Sequence, residues 1–428
     1  MTYSDLAAVL PKDRQVVHQR ASSSKAQVYR VKFVDKAIYP GGALVLREAE
    51  APRIEPLTWR TIEEGLDEEN FIKKIVDHVV AGGSMSCLGA AGTGKSVCLR
   101  ALRAALEENG LQVACICLTH TGARNIGAGA VTAHSFVQKN VLHGLFGGQV
   151  VLIDEISFMS VDLIAMLEQL RLKGVRLLAF GDFKQLPPVR NRWRGQLVPS
   201  RLFENSRLFH QWSDGIRFVL RRCRRSDQRH FETYTRLRDT HLPSALAEAR
   251  QIYPPPEAEH AADWHICLSH AKRRRLNNSI QSRAAEQVPD DQRVWVDGET
   301  PYHCFVGTKL VGCNTTLKPI INGGFYVVTR VSQESVTLRD EDIADIGEFE
   351  VTTYQLVKHT KLRHALTPYS VQGRSLTGTI TIHDVTCTHF KSEYLYVGLS
   401  RAAEGRDVSI EGLRSDLTVF PLRSIEKS

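Results

Sequence analysis

A chain of 428 residues is long enough for two to four domains with real cores. Its 43% hydrophobic and 24% charged residues exclude the disordered and collagen-like classes. The formal net charge of +8 leans toward a polyanionic partner, although charge alone identifies none.

The first 56 residues hold short alternating runs, Ala26 to Val34 and Ala43 to Leu46, around the turn Pro40-Gly41-Gly42, and read as a β-rich appendage. The apolar run Leu6 to Leu10 is too short for a secretory signal, and no apolar run of membrane-spanning length occurs. The expected setting is therefore intracellular, in cytoplasm or nucleus, with reduced cysteines and no membrane partner. From Leu57 to Val80 a helical periodicity (Ile62, Leu66, Phe71, Ile75, Val79) stops at Gly82-Gly83. Apolar strands then alternate with amphipathic segments: Met85 to Leu88, Val113 to Leu118, Val150 to Ile153, Val175 to Phe180, Ile216 to Leu220, His265 to Leu268 and Thr379 to Ile382. This is the texture of parallel sheets in α/β domains, in two sets divided near residue 213. Between 294 and 355 the pattern changes to short Gly-punctuated strands, Thr308 to Val311, Phe325 to Val328 and Ser335 to Leu338. A small β-barrel inserted in the second α/β domain is expected there. The nine cysteines, an odd number without a C-x-x-C pair, fit neither a disulfide framework nor a zinc ribbon. His383, Cys387 and His389 lack the usual zinc spacing, so no metal is expected at them.

Gly89-Ala90-Ala91-Gly92-Thr93-Gly94-Lys95-Ser96 matches G-x-x-x-x-G-K-[ST] between an apolar strand and a helical run. Such a loop curls its amides around phosphates at a helix N-terminus; Lys95 would reach the β/γ-phosphates and Ser96 would ligate Mg²⁺. Val150 to Ile153 ends in Asp154-Glu155. A buried strand tolerates two acids at its edge when a cation compensates them, which assigns Asp154 to Mg²⁺ through water and Glu155 to the attacking water. A third strand leads into Gly181-Asp182-Phe183-Lys184-Gln185-Leu186-Pro187-Pro188-Val189, where Gln185 has the amide needed to touch γ-phosphate and water together.

These boxes resemble superfamily 1 helicases of the RecD/Dda/Pif type. The likeness extends from Leu66 to Ala402, about four-fifths of the chain, with the motifs in the family's order. Asp154-Glu155-Ile156-Ser157 is similar to the family's DEIS box and Gly181 to Val189 to its GDxxQLPPV box. Leu66 to Asn70 stands where the adenine-reading motif belongs, with Asn70 in place of the usual Gln. Tyr396-Val397-Gly398-Leu399-Ser400-Arg401-Ala402 resembles motif VI, which makes Arg401 the implied arginine finger. Arg225, in a run of four neighbouring arginines, resembles the motif IV arginine. Gln372-Gly373 resembles the end of motif V, with Tyr369-Ser370-Val371 replacing the usual His-Lys-Ser.

The resemblance extends to a nucleic-acid track. Thr119, Thr121, Arg124 and Asn125 are similar to motif Ia, and Thr132 to Phe136 to motif Ib, where His134 and Phe136 would stack on or brace bases; Phe136 reads equally as a core ring. Lys318 and Asn322 mark the insert as a strand clamp, although such barrels are also common structural inserts. A separating pin has only Val137 to Gln149 to occupy, with Phe146 its candidate, and an ordinary hairpin would turn that ring inward. Lys272 to Arg275 reads as a phosphate contact, a solvated helix start or a nuclear-localisation signal.

The implied fold is two RecA-like P-loop NTPase domains, over 57–213 and 214–293 plus 356–428. An SH3-like β-barrel is inserted over 294–355, and the β-rich appendage covers 1–56. The implied function is an ATP- and Mg²⁺-dependent DNA helicase moving 5′→3′ on single-stranded DNA and opening forked duplexes. It would act as a monomer, with replication or repair proteins as partners. The economical size points toward a viral, phage or mobile-element helicase. Two alternatives stay open: a superfamily 1 RNA helicase, and an inactive helicase-like scaffold that binds nucleic acid.

Overall fold

The computed structural model describes residues 57–412 apart from 66–67, 128, 190, 194–195, 200, 259, 299, 316 and 344–345. It also gives the backbone of three strands before them, Arg14–Arg20, Tyr29–Ile38 and Leu44–Ala49. These three pair antiparallel in chain order, so the appendage has one strand more, Arg14–Arg20, than its alternation suggests.

The first domain is built on seven parallel strands. In spatial order they are Arg60–Glu63, Ile216–Leu220, Ser86–Gly89, Arg176–Gly181, Val150–Ile153, Val113–Cys117 and Val131–Thr132. The central run Val150-Val151-Leu152-Ile153 is apolar at every position because both faces of the sheet are covered. Val150 and Leu152 pack with Phe71, Ile75, Leu99 and Leu102 of the helices Phe71–Val80 and Lys95–Glu108. Val151 and Ile153 pack instead with Leu163, Leu167, Phe209 and Trp212 of Val161–Arg171 and Arg207–Trp212.

Two expectations are corrected by this sheet. The helix expected over 57–80 begins only at Phe71. Arg60–Glu63 is an edge strand, and the buried Glu64 accepts the backbone N–H groups of Arg221 and Arg222 at 2.8 and 3.0 Å. Ile216–Leu220 does not open the second domain; it is inserted between Arg60–Glu63 and Ser86–Gly89, with Phe218 opposite Cys87. Parallel partners are distant in sequence, so no local signal marks that membership.

The second domain carries four parallel strands in the order Ala365–Leu366, Trp264–Ile266, Ile380–Ile382 and Val408–Ile410. Its core continues across the cleft to Ala91, Phe158 and Leu186 of the first domain. The insert is a five-stranded antiparallel sheet, Glu348–Thr352, Ser335–Asp340, Phe325–Val331, Lys309–Gly312 and Thr360–Leu362, beside a ladder of Arg293–Val296 with Tyr302–Phe305. It runs past the expected boundary at 355 because Thr360–Leu362 pairs with Lys309–Gly312.

The segment expected to hold a pin turns its aromatic ring inward. Phe146 meets Phe136 edge-to-face at 5.2 Å, and Phe136 is 3% exposed in the first-domain core. Phe136 is no platform for bases, because its ring is covered by the chain itself, and the half-buried Phe146 packs against that same core. Phe136→Ala is expected to cost about 3–5 kcal/mol in denaturant unfolding. A stacking ring would show the reverse pattern, unchanged stability with weakened strand binding.

Candidate nucleotide cleft and strand groove

Strand Ser86–Gly89 leads into the turn 90–94 and then into helix Lys95–Glu108. Gly92 and Gly94 sit at φ +84° and +91°, where side chains are rarely tolerated. A Cβ on them would also meet Arg225 Cβ at 3.3 Å and Arg224 Cδ at 2.9 Å. Thr93 Oγ1 donates to the Ala90 carbonyl at 2.9 Å, and Lys95 Nζ donates to those of Gly89 and Ala90 at 2.8 and 2.9 Å. Burial lowers the Lys95 pKa, against the raising influence of Asp182 and Asp154.

Asp154 accepts from Ser96 Oγ and from the Glu155 N–H, both at 2.9 Å. Burial raises its pKa and these bonds oppose the rise. Hydroxyl and carboxylate meeting at one buried point form the hard oxygen donor set that suits Mg²⁺. Glu155 has left-handed backbone, φ 53° and ψ 42°, an uncommon conformation for a residue with a side chain. Its carboxylate lies against Gly373 of the second domain, where a Cβ would stand 2.5 Å from Oε1. Cys117 Sγ donates to its Oε2 at 3.6 Å. Burial first, and then the Asp154 charge, push the Glu155 pKa up to about 7.

The second domain reaches this loop through two tyrosines. Tyr396 donates its hydroxyl proton to Asp182 Oδ2 at 2.6 Å and accepts the Ala91 N–H at 2.7 Å, while Tyr234 donates to the Ala91 carbonyl at 2.9 Å. Gln185 Nε2 reaches Asp182 Oδ2 at 3.4 Å. Arg225 donates to the Ser400 carbonyl and, at 3.3 Å, to Ser375 Oγ. Arg401 is buried, and its guanidinium donates to the carbonyls of Val397 at 3.0 Å, Arg374 at 2.8 Å and Val371 at 3.3 Å, and to Ser400 Oγ at 2.8 Å. Burial, followed by repulsion from Arg225, lowers its pKa to about 9. These groups enclose a cleft of about 340 Å³.

A second groove, of about 370 Å³, runs between helix His120–Ile126, residues 130–135 and the insert's Ile321 and Ile343. Thr119 Oγ1 caps that helix by accepting the Gly122 N–H at 2.9 Å. Thr121 is buried and accepts from Arg374 at 3.2 Å, and Arg124 pairs with Asp340 at 2.7 Å. His134, Lys318 and Asn322 are exposed.

A family model described as an AAA domain matches residues 73–233. The chain is 29% identical to the human ATP-dependent DNA helicase PIF1 over 170 residues, 33% of this chain and 26% of that one. It is 31% identical to the PIF3 helicase of Trypanosoma brucei brucei over 155 residues, 32% of this chain and 18% of that one. The chain thus spans about a quarter or less of the length of these curated relatives. The solved structure of Bacteroides Pif1 bound to ssDNA superposes with a TM-score of 0.58 at 19% identity, covering 80% of this chain and 92% of that one. Pif1 helicase from Candida albicans does so with 0.57 at 20% identity, covering 81% and 94%. The chain has the Pif1-type helicase fold.

Within this Pif1-type frame Lys95, Ser96, Asp154, Glu155, Gln185, Arg225, Gln372, Gly373 and Arg401 all line the one cleft. Asn70 does not; it is exposed at the start of helix Phe71–Val80 and makes no side-chain cap bond. Asn125, expected on the strand, lines the nucleotide cleft instead and donates to the Gly373 carbonyl at 3.3 Å. Sequence reading missed Asp182, Tyr234, Tyr396, Glu64 and Arg224 as site residues, although Asp182 and Tyr396 fall inside the boxes it used. Arg224 donates to the Thr93 carbonyl at 2.6 Å and pairs with Glu64, so the arginine next to Arg225 braces the loop. Lys272 is paired with Asp384 and Glu411 within the second domain. Among the described residues no three His, Cys, Asp or Glu side chains form a metal cluster, which includes the trio at 383–389.

A base must be ionised to accept a proton, and Glu155 ionises near pH 7 in the free cleft. Nucleotide hydrolysis in this cleft is therefore expected to rise with pH through about 7 in kcat/KM. Glu155→Gln, measured across the same range, is expected to remove both the activity and the dependence.

Proposed function

We propose that the protein is an ATP-dependent DNA helicase that translocates 5′→3′ on single-stranded DNA and opens forked duplexes, acting inside the cell as a monomer. The observation that carries this reading is the convergence of Lys95, Asp154 and Glu155 from one domain with Arg225, Gln372 and Arg401 from the other on a single cleft. The names of the relatives support it, since human PIF1 is described as an ATP-dependent DNA helicase and Bacteroides Pif1 as bound to ssDNA. The polarity follows from the family resemblance.

Lys95 would leave its two carbonyls for the β/γ-phosphates of ATP, and the loop amides would hold the rest of the triphosphate. Ser96 and Asp154 would hold Mg²⁺, which when bound supplies charge neutralisation at the phosphates. Glu155 orients and deprotonates water, and Gln185 bridges that water to the γ-phosphate. Arg225 and Arg401 complete the positive clamp only when the two domains close, because both belong to the second wall. The segment Gln372-Gly373-Arg374 touches Glu155 on one side and Thr121 on the other, so hydrolysis and strand grip share a structural element.

Steady-state ATP hydrolysis with and without equal-length single-stranded DNA or RNA tests the reading. Wild type is expected to be stimulated by DNA, with Lys95→Ala at least about 100-fold slower. Unwinding of 5′-tailed but not 3′-tailed duplexes would follow. Greater stimulation by RNA would favour the RNA helicase, and no hydrolysis at all would leave a binding scaffold.

A further inference from the structure

Three consecutive acids of the insert each hold an arginine from a different part of the molecule. Asp340, whose side chain has no exposed surface, pairs with Arg124 of the first domain at 2.7 Å. Glu341 pairs with Arg363, just beyond the insert's last strand. Asp342 accepts from both terminal nitrogens of Arg374 in the second domain, at 2.7 and 2.9 Å. The N–H groups of Asp342 and Ile343 donate to Asp340 Oδ1 at 2.9 and 3.1 Å, which sets the turn rigidly. Arg374 reaches further, to Thr121 Oγ1 at 3.2 Å and to the Gly323 carbonyl, and its guanidinium lies 3.6 Å above the Phe325 ring. Arg363 stands over Phe325 and Trp264 at 4.5 and 4.9 Å.

We propose that Asp340-Glu341-Asp342 is a latch that ties the inserted sheet to both domains and closes the strand groove from above. The proposal rests on the reading of that groove as the strand path. Its floor is the helix carrying Thr121 and Arg124, and its roof includes Ile321 and Ile343, of which Ile343 adjoins the latched turn. Roof and floor are therefore joined beside the groove by the Arg124–Asp340 ion pair, which is largely shielded from water. Buried pairs are weakened little by salt, and a carboxylate with no exposed surface keeps the two backbone N–H groups of the turn but loses its counter-charge once its arginine moves away. A strand beneath the roof can leave sideways only when the Arg124–Asp340 pair opens. The Arg374 carbonyl accepts from Arg401, so the latch and the nucleotide cleft share one residue. Arg124 and Arg374 are on this account positioning residues, held by the turn.

Asp340→Asn and Asp342→Asn each remove one charge at constant shape and act on different arginines. In the free protein, amide exchange of residues 120–126 and 323–325 is expected to accelerate about tenfold in either variant. Dissociation of a fluorescent oligo-dT strand is expected to quicken about three- to tenfold, with the maximal DNA-stimulated ATPase rate within about twofold of wild type. Unchanged exchange in both variants overturns the latch. Unchanged or slower strand release overturns its role as a closure, and slower release would mean that Asp340 competes with phosphate for Arg124. Wild type failing to bind oligo-dT would refute the strand reading itself, and the exchange measurement would still decide the latch.

Discussion

Charges taken out of water must find compensation, and the centre of this molecule is organised by that requirement. Asp154, Asp182 and Arg401 are withdrawn from solvent at the junction of two parallel sheets, with Lys95 and Glu155 half-buried beside them. Their compensation is mostly neutral. Lys95 and Arg401 are held by carbonyl oxygens, and Asp154 by a hydroxyl and an amide. These five share one cleft without collapsing into direct ion pairs with one another, which leaves the positive charge of Lys95 and Arg401 uncancelled there. The raised Glu155 pKa and the lowered Arg401 pKa come from the same burial.

That burial also explains why the two domains work as one unit. Tyr396 bridges Asp182 and the Ala91 amide, and Tyr234 holds the Ala91 carbonyl, so the phosphate loop is gripped by aromatic side chains from across the cleft. The short segment 371–376 extends this coupling. Val371 and Arg374 offer carbonyls to Arg401, Gly373 makes room for Glu155, and the Arg374 side chain leaves the cleft for Thr121 on the helix that borders the second groove. A glycine is needed at 373 because its φ is +75° and the Glu155 carboxylate occupies the space a side chain would take.

The legible part of the site was local. The run Gly89 to Ser96 announces itself because loop, lysine and hydroxyl must be contiguous to wrap a phosphate, and the same holds for Asp154-Glu155 at a strand end. Arg225 was harder to place among its neighbours, and its place was decided by which side chain faces Ser375 and Ser400 and which faces Thr93 and Glu64. Phe136 and Phe146 carried no local mark separating a base platform from a core ring. That distinction is one of burial, which depends on what packs above them.

The sequence by itself determined the alternation of strands and helices, the phosphate loop, the acidic strand end and the existence of a β-rich insert, since each rests on residues within a few positions of one another. Only the tertiary structure decided that Ile216–Leu220 belongs to the first sheet, that Thr360–Leu362 belongs to the insert and that Arg124 faces Asp340 rather than solvent. Those are pairings between distant segments. Their energy comes from shared hydrogen bonds, excluded water and charges brought within 3 Å, and it exists only after the chain has folded.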